Sequence, residues 1–447
     1  MSEQLLILLF GLALAVAFTL PFLRRAQRLG SYTDDAQREA ARLRIDEPQS
    51  LHPFVDPTAC IGTGACTAVC PEKDVLGLRH GIAVAVSPAR CVGHGLCERA
   101  CPVEAITLML GTDKRGVDIP KVRETYQTNV DEIYVVGELG GMGLIRNAFE
   151  QARQAVEHMA KSLASRTKTH AIDIIIVGGG PGGLATALYA QEQGLKTLIL
   201  EQSGSIGGTV QHYPRKKMVM TQPLTIPSYG ILRSREIQKE DLIDIWEKVY
   251  AQANIDIAFE HTVTRIQTTP TGVSVETNQG SIHEAHLAVV AIGRRGTPRR
   301  LNVPGESQPH VLYSLADPTP FRDARITVVG GGDSAVEAAL QLCYEVNATV
   351  TLSYRRDAFS RIKPDNLDRL NQAIARKDLV VALSSEVTRI DKTSHTLRHA
   401  DGSTHTVDAD YLFIMIGGEL PTAFLAACGI EMDTAFGRPV RHRGASA

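Results

Sequence analysis

Net charge is nearly absent from this sequence, and cysteine is scarce outside one segment. Its 47 Lys and Arg stand against 49 Asp and Glu, a net charge of -2. No domain-wide basic surface is forced, so nucleic acid is not expected as a partner. Eight cysteines occur in 447 residues; six lie between Cys60 and Cys101, while Cys343 and Cys428 stand alone. A disulfide framework would spread its cysteines through a small secreted domain, so the clustering excludes one. Basic residues are also missing ahead of the first apolar run, where only Ser2, Glu3 and Gln4 follow the initial Met. A secretory signal peptide carries its positive charge there.

That apolar run, Leu5 to Leu23, has 19 residues and no charge. As a helix it would span roughly 28 Å at about 1.5 Å per residue. Arg24, Arg25 and Arg28 follow it. The pattern predicts a single-pass transmembrane anchor over 1–28 with the bulk of the chain cytoplasmic. A core helix is the alternative. Residues 29–51, charged and polar, read as a tether.

Two runs, "CIGTGACTAVCP" from Cys60 and "CVGHGLCERACP" from Cys91, repeat with a period of about 31 residues. Each is a bacterial iron–sulfur run, C-x2-C-x2-C-x3-C-P, with its second cysteine replaced. Thr63 holds that slot in the first run and His94 in the second. Residues 52–115 therefore read as a small α+β domain that resembles bacterial two-cluster ferredoxin. The resemblance implies that the last cysteine of each run serves the other cluster. One cluster would be held by Cys60, Cys66 and Cys101, the other by Cys91, Cys97 and Cys70. His94 can complete a four-iron cluster through an imidazole nitrogen, or be a surface histidine between two glycines. Thr63 is a poor ligand, which leaves a three-iron cluster and a solvent-completed four-iron cluster both open at its site.

Downstream, "IDIIIV" runs into Gly178-Gly179-Gly180-Pro181-Gly182-Gly183, a helix, and a strand ending in Glu201. This is G-x-G-x-x-G in its strand–turn–helix setting, with an acid about 20 residues on for ribose hydroxyls. The pattern recurs: "ARITVV" leads to Gly330, Gly332 and Ser334, and the next strand ends at Arg355 and Arg356, with Arg361 and Lys363 nearby. Guanidiniums there suit the 2′-phosphate of NADPH. The fold expected is α/β, with two Rossmann-like domains.

Together with "GSIGGT", "VVAIGRRGTPRRLNVPGE", "GGGDSAVEA" and "LFIMIGGELPT", these loops resemble the two-dinucleotide-domain flavoprotein family of thioredoxin reductase. The resemblance implies an FAD site at Gly178, Gly180, Pro181, Gly182, Gly183, Glu201, Gly207, Gly208 and Gly293. It implies an NADPH site at Gly330, Gly332, Ser334, Arg355 and Arg356. That family ends with a strand and helix returning to the FAD domain. Here the matching stretch stands upstream, in "NVDEIYVVGELGGMGLIRNAFEQARQAVEHM", with Glu138 as the flavin-ribityl acid. The flavoprotein therefore reads as circularly permuted: 117–165 complete an FAD domain of 171–300, an NAD(P)H domain spans 301–412, and 413–447 return to the FAD domain. The paired cysteines of thioredoxin reductases are missing, and Gly182 stands where the similar bacillithiol disulfide reductase has a cysteine. The domain set implies electron flow from NADPH through FAD to two iron–sulfur clusters, with no separate catalytic residue. The acceptor stays open among a ferredoxin-like protein, a quinone and a membrane complex. Direct reduction of a small disulfide, or service as a subunit of a larger complex, are the rival readings, and a homodimer is one assembly open to the chain.

Overall fold

The computed structural model describes residues 3–440 apart from 44, 49, 50, 73, 142, 222, 295, 297, 360 and 361; the side chains of 3–9, 22 and 364 also lie outside the description. Two compact units emerge, one running to Val117 and including the chain from Ala435 onward, the other Asp118–Thr434.

The first unit opens with helix α1, Glu3–Leu43, unbroken although Pro21 lies inside it. The segment 29–51, expected as a tether, is thus helical as far as Leu43. Two i,i+3 ion pairs, Arg38–Asp35 at 2.8 Å and Arg42–Glu39 at 2.6 Å, support its solvated side. Thr33, Ala40 and Leu43 are buried on the other side. The expected membrane span starts at Leu5, where side chains are outside the description. Among the described residues no helix is long and apolar enough to cross a membrane. Phe10, Leu12, Leu14, Val16, Phe18, Leu20 and Leu23 of α1 are all exposed.

Strand β1 (Leu51–Val55) pairs antiparallel with β4 (Ile106–Leu110), and β2 (Leu76–Arg79) with β3 (Ile82–Ala85). Short helices α2 (Ala65–Val69) and α3 (Leu96–Arg99) follow the two Gly-x-Gly loops. Cys66 and Cys97 share a core with Val75, Leu76, Ala83, Ile106 and Leu108.

In the second unit, β5 (Ile133–Val135), α4 (Ile145–Ala164), β6 (Ile174–Val177), α5 (Pro181–Glu192), β7 (Thr197–Leu200), β8 (Ile257–Ala258) and β9 (Leu287–Val290) form the first dinucleotide layer. The sheet order is β8-β7-β6-β9-β5, parallel throughout. The segment that stands out of order in the sequence takes its place at the edge of this sheet. Its helix α4 packs on α5, with Ala148, Ala152, Ala155 and Met159 in one core with Leu184, Ala185 and Leu188. Ile174–Val177 is buried on both faces, which is why that strand is apolar without alternation.

The second layer is β10 (Val311–Leu312), β11 (Arg325–Val329), α6 (Asp333–Val346), β12 (Thr349–Tyr354), β13 (Val380–Leu383) and β14 (Tyr411–Ile414), ordered β10-β14-β11-β12-β13 and again parallel. Beyond it, α7 (Thr422–Ala427) carries Leu425, Cys428 and Ile430 into the core of Val263, Ile266, Val273 and Val275 in the FAD half. Residues 413–447 are expected from sequence to return to the FAD half; among the described residues the chain stays with that half only as far as Thr434. Strand β15 (Arg438–Pro439) instead pairs antiparallel with β4 in the first unit, Arg438 opposite Leu110. The reason is an open edge: β4 has β1 on one side only, and a two-residue strand suffices to cover the other.

His395 tests the second half's core. It lies on the strand Ser394–His399, buried, and its Nε2 has no partner among the described residues. Burial first, and then the neighbouring His405, push its pKa from the ordinary 6.5 down to about 4. The neutral ring is favoured in the fold, so its contribution is complete above pH 6.5 and is lost as pH falls toward 4. The full loss is on the order of 3 kcal/mol. The Tm difference between pH 7 and pH 5 is expected to shrink in His395→Leu; an equal drop in both proteins would contradict this.

Candidate functional site

The first cradle is built at the carboxyl ends of β5, β6, β7 and β9, where open α/β sheets bind ligands. Gly178 has φ +105°, and a Cβ on it would lie 2.8 Å from Ala291 O. A Cβ on Gly183 would lie 1.9 Å from Gly178 O, so the first turn of α5 can approach β6 only as glycine. Pro181 opens the helix and no side chain caps it. Its free N–H groups and positive end therefore face the loop, as an anion requires. Gly180 has only Gly208 Cα near its Cβ position, at 3.8 Å, so Gly207-Gly208 forms the far wall of an open backbone cleft.

Glu201 is buried at the end of β7. Its Oε2 accepts from Gly179 N at 2.6 Å and its Oε1 from Ser203 N at 2.8 Å. The carboxylate is therefore fixed beside the loop with lone pairs left for hydroxyl donors. Glu138 is exposed on the turn after β5, and the preceding Gly137 lies against Gly182, whose Cβ would be 3.6 Å from Gly137 Cα. Gly293 follows β9 with φ +69°. Sequence reasoning missed two supports here. Buried Gln151 on α4 accepts from Gly137 N at 2.7 Å and fixes the Glu138 turn. Arg294 is the other: burial lowers its pKa, while Glu138 and Asp118 act in the opposite sense. These groups fit FAD: Gly180 and Pro181 would hold the pyrophosphate, Glu201 a ribose, and Glu138 would serve the ribityl chain.

The second cradle repeats the plan. Gly330 sits where a Cβ would meet Met415 O at 2.4 Å, Gly332 has open space, and Ser334 lies in the first turn of α6. Tyr354 ends β12, lies over Gly331 and stacks on Phe359 with centroids 5.2 Å apart. Arg355 is exposed and Arg356 half-buried. Arg361 lies outside the described residues. The groups fit NADPH, whose 2′-phosphate Arg355 and Arg356 would hold. Replacing both Arg355 and Arg356 by Ala is expected to raise KM for NADPH about 10- to 100-fold, the equivalent of ~1.5–3 kcal/mol for charge-assisted bonds, and to leave KM for NADH nearly unchanged. Equal loss with both nucleotides in steady-state kinetics would remove the guanidiniums from this role.

In the first unit, Cys60, Cys66 and Cys101 line one cavity together with Ile61, Gly62, Thr63, Ala83 and Val103. Cys70, Cys91 and Cys97 form the other group, close enough for Cys70 to raise the pKa of Cys91 and for both to raise that of Cys97. Burial is the main cause there, pushing Cys91 up to about 11 and Cys97 up to about 12. A thiolate at that depth is stable only beside a cation, which iron would supply. Among the described residues no three His, Cys, Asp or Glu groups converge as ligands of a single ion. Cluster thiolates each bind a different iron and stand around a void, so the two observations agree. Gly62, Gly64, Gly93 and Gly95 all have φ between +67° and +81°, giving both runs the same left-handed bends. A Cβ on Gly62 would lie 1.9 Å from Gly81 O. The replaced slots differ: Thr63 is exposed and His94 is buried. Cys60 Sγ accepts from Ala83 N at 3.4 Å, and Cys101 Sγ from Ala105 N at 3.2 Å. Cys343 and Cys428 belong to separate cores, so they form no dithiol.

Two parallel dinucleotide layers with these cradles define a flavin-dependent pyridine nucleotide oxidoreductase. Residues 175–443 match the pyridine nucleotide-disulphide oxidoreductase family, and the chain belongs to it. Residues 52–102 match the 4Fe-4S dicluster domain. The chain is 29% identical over 263 residues to a ferredoxin–NADP reductase of Ignicoccus hospitalis, covering 58% of this chain and 82% of that protein. It is 26% identical over 269 residues to the bacilliredoxin reductase Bdr of Bacillus subtilis, covering 59% and 82%. The solved bacillithiol disulfide reductase Bdr of Bacillus cereus superposes with a TM-score of 0.53 at 29% identity, covering 60% of this chain and 85% of that one.

Proposed function

We propose that this protein is a membrane-anchored, NADPH-dependent oxidoreductase that passes electrons from NADPH by way of FAD to two iron–sulfur clusters and on to a one-electron acceptor. The observation that carries it is the cavity enclosed by Cys60, Cys66 and Cys101 with Thr63 at its rim. Bound FAD takes a hydride and returns electrons singly, the junction needed between a two-electron donor and one-electron clusters. The exposed Thr63 suits a three-iron or solvent-completed cluster. The buried His94 suits an imidazole-completed four-iron cluster, because solvent is kept from that corner. Neither sits at the lowest ferredoxin potentials, so flow runs away from NADPH. The exposed apolar residues Phe10 to Leu23, followed by Arg24, Arg25 and Arg28, support the anchor.

The test is anaerobic purification, a count of iron and flavin, and an NADPH titration followed by EPR. About seven or eight irons per FAD, with cluster signals that change as NADPH is added, would support the proposal. A second reading, direct reduction of a small disulfide from flavin, is favoured by the similarity to the Bdr proteins. Flavin reduction with silent clusters, and disulfide turnover that survives cluster loss, would replace the first reading by the second.

A further inference from the structure

The same hairpin that α1 grips is a wall of the Thr63 cavity. Thr33 Oγ1, within 2.8 Å of Leu29 O, also lies 2.9 Å from Leu78 O on β2. Gln37 Nε2 donates to Ala85 O on β3 at 2.9 Å, and Arg79 Nη1 donates to Gln37 Oε1 at 3.0 Å. Tyr32 adds a bond from its hydroxyl to Asp74 Oδ1 at 2.8 Å. From the hairpin's other side, Ala83 lines the cavity and donates to Cys60 Sγ. Leu78 packs on the Gly64 bend, where a Cβ would lie 3.1 Å from its Cδ1. Helix and cavity are thus joined through one pair of strands.

The helix is continuous between the three arginines and this grip. Arg28 precedes Thr33 by five residues, about 8 Å at ~1.5 Å per residue. Pro21 lies on the apolar side of the arginines, so no proline interrupts this stretch. Two apolar residues of the cavity lining meet solvent, Ile61 at 64% and Val103 at 36% exposure, together with exposed Thr63. Exposed apolar residues beside a redox cavity, on a unit carried by an apolar helix, suit an oxidant with an apolar body.

We infer that α1 is a rigid arm holding the Thr63 cavity at a fixed, short height over the bilayer, and that the cluster there delivers electrons to a lipid-soluble quinone. This rests on the anchored electron-transfer reading above. NADPH releases two electrons and one proton as it becomes NADP⁺. The electrons leave singly through the cluster, and the quinone takes both with that proton and one from water to become quinol. No further oxidant or reductant is needed.

The full-length holoprotein is mixed with phosphatidylcholine/phosphatidylglycerol vesicles containing ubiquinone-10. A variant carries seven residues, Ala-Glu-Ala-Ala-Ala-Lys-Ala, inserted after Arg28. Two helical turns keep the facing side and raise the unit by about 10 Å. Electron transfer weakens exponentially with distance, so NADPH-driven quinone reduction is expected to fall by more than an order of magnitude in the variant. Ferricyanide reduction in solution, and flotation with the vesicles, should match the parent. Equal quinone rates in the two proteins, or no quinone reduction by a floating parent, would overturn the arm while leaving the anchor. A parent that does not float overturns both.

Discussion

Gly183→Val yields a protein without bound flavin. The added side chain begins 1.9 Å from Gly178 O, inside the contact between β6 and α5. No rotamer removes that clash, because the Cβ itself makes it. Overpacking a well-filled site costs ~1–3 kcal/mol when side chains can give way. Here a backbone carbonyl must move, and it belongs to the turn that would face the pyrophosphate. We expect a colourless protein whose NADPH–ferricyanide activity is lower by more than about 100-fold, ~3 kcal/mol or beyond. Its iron content should be unchanged, since the six cysteines between Cys60 and Cys101 lie in the other unit. Flavin retained at the parental ratio in the absorption spectrum would contradict the cradle. Loss of iron as well would mean general misfolding, which far-UV circular dichroism separates.

Cys97→Ala gives the complementary result. Cys97 is buried beside Leu108 and Ile106, and its group with Cys70 and Cys91 has no spare thiol. The variant should lose about four irons and one of the two sets of EPR signals. NADPH should still bleach the flavin at near the parental rate, because that step needs only the second unit. Quinone or one-electron acceptor reduction through the clusters should fall to background. Parental iron content would show that Cys97 is not a ligand.

The parts of the molecule legible from sequence are those where one residue type is forced. Only glycine can stand at Gly178 or Gly183, and a thiol pattern repeated at equal spacing has few other uses. The misplaced strand "IYVV" was also visible, since a buried parallel strand is apolar throughout and its acid follows directly. The helical character of 29–43 was hidden. Its exposed side is held by Asp35–Arg38 and Glu39–Arg42, which read as a solvated linker, while burial rests on a few separated residues such as Thr33 and Ala40. Strand β15 was illegible for a different reason. Two residues, one of them Pro439, carry no periodicity, and their pairing depends on an edge presented far away in sequence. Arg294 and Gln151 escaped because each acts through the fold: one is half-buried near Glu138, the other reaches a backbone amide from a helix.

The pairing of β15 with β4 also orders events during synthesis. β4 emerges from the ribosome more than 300 residues before the strand that covers its second edge. For that whole interval the nascent iron–sulfur unit presents a row of unpaired amides and carbonyls, the template on which strands from other chains add. Cluster assembly on the six cysteines can begin early, but the second edge of β4 is covered only when Arg438 and Pro439 arrive. Truncation after Thr434 would make that vulnerable interval permanent, leaving a protein that assembles its cofactors and then associates through the bare edge of β4.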